Sequence, residues 1–192
     1  MEVLEAIRKR RAIRSFLDRP IERDLLSALV AAATQAPSAM NLQPWGFLIV
    51  HGKTEVKRLS DAAKAHLLRI VDPASPLAKY RDELNDPAFE LFYGAPALIV
   101  VCAKGAGSAG IVQPNEDCCL AAQDLMLAAV AQGLGSCWIG FSRPWLNQPA
   151  AKRALGLPAV WSPVAPLAIG YPAEVPAPPG RHAPEIVWHP AA

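Results

Sequence analysis

From Asn115 to Gln132 the chain reads as a helix of about five turns with apolar residues on nearly every side, including Cys118, Cys119, Leu120, Leu125, Met126, Leu127 and Val130. Such a helix has no face to turn toward water, so protein must surround it. In a chain of 192 residues two arrangements do this: a central helix wrapped by the rest of the fold, or a helix in a large subunit interface. Gly133 and Gly135 end the run, with Gly133 in the position that favours a left-handed glycine. Apolar residues make up 52% of the chain and charged residues 19%, which excludes a disordered polymer and fits one domain with a sizeable core. No apolar stretch reaches membrane-spanning length.

The remaining pattern alternates helices and strands. The spacing predicts helices over Glu2–Arg11, Glu22–Gln35, Thr54–Ile70 and Trp145–Leu155, the third capped by Thr54. Strands are predicted over Gly46–His51, Ala97–Ala103, Ser136–Phe141 and Val164–Gly170, the first as an internal strand because it is continuously apolar. Residues 71–86 carry Asp-Pro and Ser-Pro pairs and read as a partly helical excursion of the kind that covers a site. A proline-rich tail follows Pro172 and ends in a strand-like piece, Glu185–His189.

Charge and chemistry-bearing residues narrow the function classes. A net charge of +2, with no basic run interleaved with aromatics, gives no footprint for nucleic acid. The four histidines are scattered and make no metal-ligand spacing. Cys102, Cys118, Cys119 and Cys137 lie in apolar runs without a CxxC pair, so buried free thiols and a reducing cytoplasm are expected. The Arg-rich start contains Glu2 and Glu5, unlike a transit peptide.

Three stretches offer binding chemistry. Arg8, Lys9, Arg10 and Arg11, with Arg14 beyond, are either a solvated basic helix end or a phosphate site. Residues 36–45 pack Pro37, Ser38, Asn41, Gln43 and Pro44 into ten positions. They form either a simple helix-to-strand connection or a stiff loop holding a planar polar ligand. Gly105–Gly110 matches GxGxxG after a strand. Pro114 follows closely, however, and no helix opens inside the motif as a dinucleotide site requires.

Taken in order, five segments resemble the nitroreductase family of FMN-dependent oxidoreductases, in its short-chain branch. They are Arg10–Phe16, the Ala36–Trp45 stretch, Tyr93-Gly94-Ala95-Pro96, Asp117 through Gly140, and Ala168–Pro172 with the late Arg181. The resemblance implies an α+β fold, a mostly antiparallel central sheet flanked by helices. It implies an intertwined homodimer with FMN at each subunit interface, built from a single domain (1–192) whose extension (about 172–192) crosses to the partner. It implies NADH or NADPH as electron donor and small electron-poor acceptors such as nitroaromatics or quinones, served in a ping-pong cycle.

By position, Arg10, Arg11, the backbone at Ala12, and Arg181 resemble the phosphate and ribityl site, and Arg14 the cation near the flavin N1–O2 edge. Pro37, Ser38, Ala39, Asn41 and Gln43 resemble the loop that reaches the partner's flavin. Ile139 and Gly140 resemble the backbone site facing N5. The family often has a serine where this chain has Ala12. No side chain is singled out as an acid or base, and no metal is expected. The alternatives are a specialised flavin enzyme of the same fold (flavin fragmentation, reductive dehalogenation or dehydrogenation of one metabolite) and a non-catalytic flavin-binding protein.

Overall fold

The computed structural model describes residues 1–105 and 113–189. Apart from Gly105, the GxGxxG stretch lies outside the described residues. Four strands, β1 (Trp45–His51), β2 (Ala97–Lys104), β3 (Gly135–Trp138) and β4 (Trp161–Gly170), form an antiparallel sheet in the order β1-β2-β4-β3. Seven of the eight residues of β2 are buried, because helices cover both faces of the sheet. On one face Ile99, Val101, Leu167 and Ile169 pack with Leu26 and Leu29 of α2 (Arg23–Ala33) and Leu125 of α5 (Pro114–Ala131). On the other, Leu98, Val100 and Ala168 meet Val56, Leu59 and Leu67 of α3 (Lys53–Ile70).

Two helices organise what lies around this core. The apolar run becomes α5, which packs against the sheet, α2 and α1 (Val3–Lys9). Its end is closed by Gly133 at φ 73°, with Leu134 N–H donating back to Ala129 O at 2.8 Å. After α1 the chain turns and runs beside the sheet, with Ala12 bridged to Ser136 and Phe16 to Pro172. Pro163 and Pro166 sit in β4, an interior strand, where a missing N–H would break the ladder. The strand accommodates this with a register shift, pairing Ala165 with Val101 and Pro163 with Cys102 and skipping Val164.

The structure corrects several expectations. β1 is an edge strand of this sheet rather than an internal one, and Ile49 is 39% exposed on it. Its apolar run reflects helices packed against both faces, which continuous hydrophobicity cannot distinguish from an interior place. The cap of α3 is Gly52 at φ 108°, with no Thr54 side-chain bond. The expected Trp145–Leu155 helix is two short ones, α6 (Arg143–Leu146) and α7 (Pro149–Ala154), separated where Pro149 cannot continue the first. Glu185–His189 forms no strand. Cys102, Cys118 and Cys137 are buried as expected, but Cys119 is exposed on the outer face of α5.

Residues 71–86 are partly helical, as expected. A 3-10 segment (Pro76–Tyr80) leads into α4 (Arg81–Asn85). Lys64, 7% exposed, anchors the end of this excursion by donating through Nζ to the carbonyls of Asp86 and Phe89.

Candidate functional site

A cavity of about 420 Å³ opens where β3 ends, within the size range of small-molecule sites. Arg14, Cys137, Ile139 and Gly140 supply one side. Tyr80 and Glu83, from the excursion, and Phe89 and Tyr93 supply the other.

The floor is set by the chain leaving β3. Ile139 N–H donates to Pro166 O at 2.8 Å, so the sheet uses that amide. Ile139 O accepts from Ser142 N (3.2 Å) and Ser142 Oγ (2.8 Å), which locks the turn. Gly140 is left exposed, and a Cβ placed on it would meet nothing within 4 Å. Among the described residues no acceptor is recorded for its N–H. The turn therefore presents bare backbone to the cavity.

The charge comes from the segment after α1. Arg14 and Arg10 both lie close enough to Cys137 to oppose the rise in its thiol pKa that burial causes. Arg11 faces elsewhere. Its guanidinium donates to Arg8 O (2.6 Å) and Arg10 O (2.7 Å), closing the carbonyl end of α1, while its buried Nε has no partner among the described residues. Arg11 lines a second cavity with Ile13, Gly133 and Pro176. Ala12 is held against β3 by its bridge to Ser136.

The aromatic wall is built around a strained turn. Tyr93 has φ 55°, followed by Gly94 at φ 67°. A tyrosine in the left-handed region is rare and costs about 1–3 kcal/mol. The turn is held by Tyr93 N–H to Glu90 O (2.8 Å) and Ala95 N–H to Phe92 O (3.1 Å). Tyr93 meets Phe89 edge-on at 6.0 Å, and Arg14 lies 6.0 Å from the Tyr93 ring centroid. Burial raises the Tyr93 phenol pKa, and Arg14 works against that rise. Tyr80 packs edge-on against Phe141 at 5.3 Å.

Pro37, Ser38, Ala39, Asn41 and Gln43 do not line this cavity. They form a separate projecting loop in which Met40, Asn41 and Gln43 all have positive φ (51°, 54° and 49°). Ser38 Oγ accepts from Gln43 N at 2.9 Å, and Asn41 Oδ1 accepts from Gln43 Nε2 at 3.1 Å. Asp117, 6% exposed at the start of α5, ties the loop to the core by accepting from Ala39 N at 3.3 Å. Arg181 lies on the exposed tail, also outside the cavity. Within one chain the expected site residues thus fall into separate groups: Arg14, Ile139 and Gly140 line the cavity, Arg10 acts on Cys137 from outside its lining, Ala12 is bridged to β3, and the 37–43 loop, Arg11 and Arg181 lie elsewhere.

Tyr80, Glu83, Phe89 and Tyr93 were not among the expected site residues. A signal for part of this wall was present, since Phe89, Phe92 and Tyr93 crowd together just before a strand. Phe92 turned out to be fully buried, and only the fold separates it from its neighbours.

Together the fold and cavity define an α+β protein with an aromatic-walled cavity whose lining carries Arg14 and Glu83. The sequence profile of the nitroreductase family matches residues 7–171, and the chain belongs to that family. It is 30% identical to the FMN reductase (NAD(P)H) of Bacillus subtilis strain 168, over 98% of this chain and 73% of that protein. It is 32% identical to 5,6-dimethylbenzimidazole synthase of Rhodospirillum rubrum, over 86% of this chain and 79% of that one. The crystal structure of a nitroreductase with bound FMN from Bacteroides fragilis superposes with a TM-score of 0.79 at 27% identity, covering 96% of this chain and 95% of the other.

Proposed function

We propose that this protein is an FMN-dependent oxidoreductase that moves electrons from NADH or NADPH to small electron-poor acceptors, nitroaromatics or quinones, in a ping-pong cycle. The carrying observation is the cavity that pairs the Arg14 cation with the bare Gly140 turn under an aromatic wall. When bound, the flavin supplies the two-electron redox chemistry, and the chain binds, orients and tunes it.

Each residue group has a role in that reading. Arg10 would hold the phosphate end, with Arg181 as the second clamp. Arg11, just past α1, would assist by fixing the turn that carries Arg10 and Ala12. Arg14 would supply a cation that favours the negatively charged, reduced form of the flavin. Gly140 would offer its N–H to the ring, since the Ile139 N–H is taken by Pro166 O. The open side of the cavity receives donor and acceptor in turn.

The same reading includes a homodimer, with 1–192 as one domain and the segment after 172 crossing to the partner. Val3, Leu4 and Ile7 on α1 and Leu120 on α5 are all at least 46% exposed, and the two helices are packed together. That leaves one apolar face over α1 and α5 that a second subunit would cover. Val187 and Trp188 on the tail are 97% and 83% exposed in the single chain. In the dimer, Pro37, Ser38, Ala39, Asn41 and Gln43 reach the flavin held by the partner. Among the described residues no helix is long and apolar enough to cross a membrane, and a cytoplasmic enzyme is proposed.

The test is an absorption spectrum of the purified protein, then anaerobic titration with NADH and with NADPH. Bound flavin bleached by either nucleotide is the expected outcome, and a colourless protein that takes up no FMN refutes the proposal. The likeness to 5,6-dimethylbenzimidazole synthase supports a second reading, a specialised flavin enzyme acting on one metabolite. Flavin that binds tightly but is reduced only very slowly by both nucleotides selects that reading.

A further inference from the structure

Reducing a quinone to a hydroquinone consumes two electrons and two protons. The nicotinamide supplies both electrons and one proton as a hydride equivalent. The second proton must come from water or from the protein. Resting on the function proposed above, we propose that Tyr93 is that proton donor and hydrogen-bonds the acceptor oxygen through its phenol. The Tyr93 O–H bond breaks and an O–H bond forms on the acceptor. The phenolate left beside Arg14 regains its proton from water. The net change is quinone plus NAD(P)H plus a proton giving hydroquinone plus NAD(P)⁺.

Three observations converge on Tyr93. Its backbone is held in the left-handed region, and such outliers in bulky residues concentrate where a side chain is being aimed. Its ring is fixed from the side by Phe89 and lies beside Arg14. Tyr93 itself lines the cavity, together with Arg14, Cys137 and Glu83, so its side chain borders the space in which an acceptor would sit. Tyr93 stands on the rigid entry to β2, whereas Tyr80, the other phenol in the cavity, stands on the 71–86 excursion. A positioned general acid belongs on the rigid element.

The experiment compares wild type, Tyr93→Phe and Tyr80→Phe as FMN-loaded protein. Phenylalanine keeps the ring and its Phe89 contact and removes only the hydroxyl. Turnover is measured with benzoquinone, which needs protons, and with ferricyanide, which accepts single electrons and no proton. Tyr93→Phe is expected to lose about 10²-fold more turnover with benzoquinone than with ferricyanide. A second readout does not depend on turnover. Acetophenone, a carbonyl acceptor that is not reduced, and ethylbenzene, which lacks the oxygen, are titrated against Trp fluorescence. Tyr93→Phe weakens acetophenone about tenfold and leaves ethylbenzene unchanged.

Equal losses on both electron acceptors, an unchanged benzoquinone rate, or unchanged acetophenone affinity overturns the assignment. So does transfer of the selective loss to Tyr80→Phe. A protein that holds no FMN refutes the proposed function instead, and the acetophenone titration still decides whether Tyr93 donates.

Discussion

Gly135→Ala tests how the binding segment is held in place. Gly135 opens β3, and a methyl group on it would lie 2.5 Å from Ile13 Cγ1 and 2.8 Å from Ile13 Cβ. Apolar carbons settle at about 3.5–4.0 Å, so Ile13 must retreat by about 1 Å. It cannot do so by rotating its side chain, because the clash includes Cβ. Ile13 is 3% exposed, and its N–H donates to Ser136 O at 3.0 Å. The backbone of residues 12–14 therefore has to move, taking Arg14 with it and disturbing the approach of Arg10. Overpacking of this kind costs about 1–3 kcal/mol. For a chain of this size that corresponds to a fall in Tm of about 2–12 °C. Thermal unfolding followed by circular dichroism measures the first effect, and quenching of FMN fluorescence measures the second. FMN affinity should fall by at least about tenfold, since a shift near 1 Å misplaces the cation. Unchanged Tm together with unchanged FMN affinity would refute the claim that β3 sets the position of Arg14.

Three other outcomes are expected. Gly140→Val adds a side chain into open space, so stability should change by no more than about 0.5 kcal/mol while FMN binding is lost, as read by urea unfolding and flavin retention. Ser38→Ala combined with Asn41→Ala removes both acceptors that brace the 37–43 loop and should weaken FMN about tenfold with little change in Tm. Retained affinity in that double variant would mark the loop as a plain connection. His66 is buried in α3, and burial, aided by Arg69, lowers its pKa below 6.5. A depressed folded value means the stability is present above 6.5 and is lost as pH falls through the folded pKa. Urea unfolding should show that acid limb in wild type and a flatter one in His66→Gln.

Much of the architecture was legible because its signals are local. The all-apolar run had to be a helix packed on several sides, and α5 packs against the sheet, α2 and α1 while Cys119 and Leu120 stay exposed in the single chain, with Gly133 closing it as its position indicated. The four strands and the partly helical excursion followed from period and proline placement. Thr54 and the Trp145–Leu155 helix misled for the same reason in reverse: Gly52 caps the first, and Pro149 interrupts the second. Local preference is a weak guide wherever two nearby residues compete for one role.

The site divides along the same line. Arg14, Ile139 and Gly140 were named from motif positions, and the fold brings them to one cavity. The motif also put Arg11 with Arg10, but the end of α1 offers unsatisfied carbonyls that its guanidinium occupies. Of the aromatic wall the sequence showed only the Phe89–Tyr93 cluster; that Tyr80 joins it could not be read, because Tyr80 and Tyr93 are thirteen residues apart, on different elements, and meet only at the cavity.

By itself, then, the amino-acid sequence determined the family and most of the helices and strands, though not every cap and boundary, since periodicity, glycine and proline act over a few residues. Tertiary structure alone decided that β1 lies at an edge, that Gly140 rather than Ile139 has an amide to offer, and that a strained tyrosine faces Arg14. Each depends on which distant backbone groups pair or collide, and no short stretch of sequence contains that information.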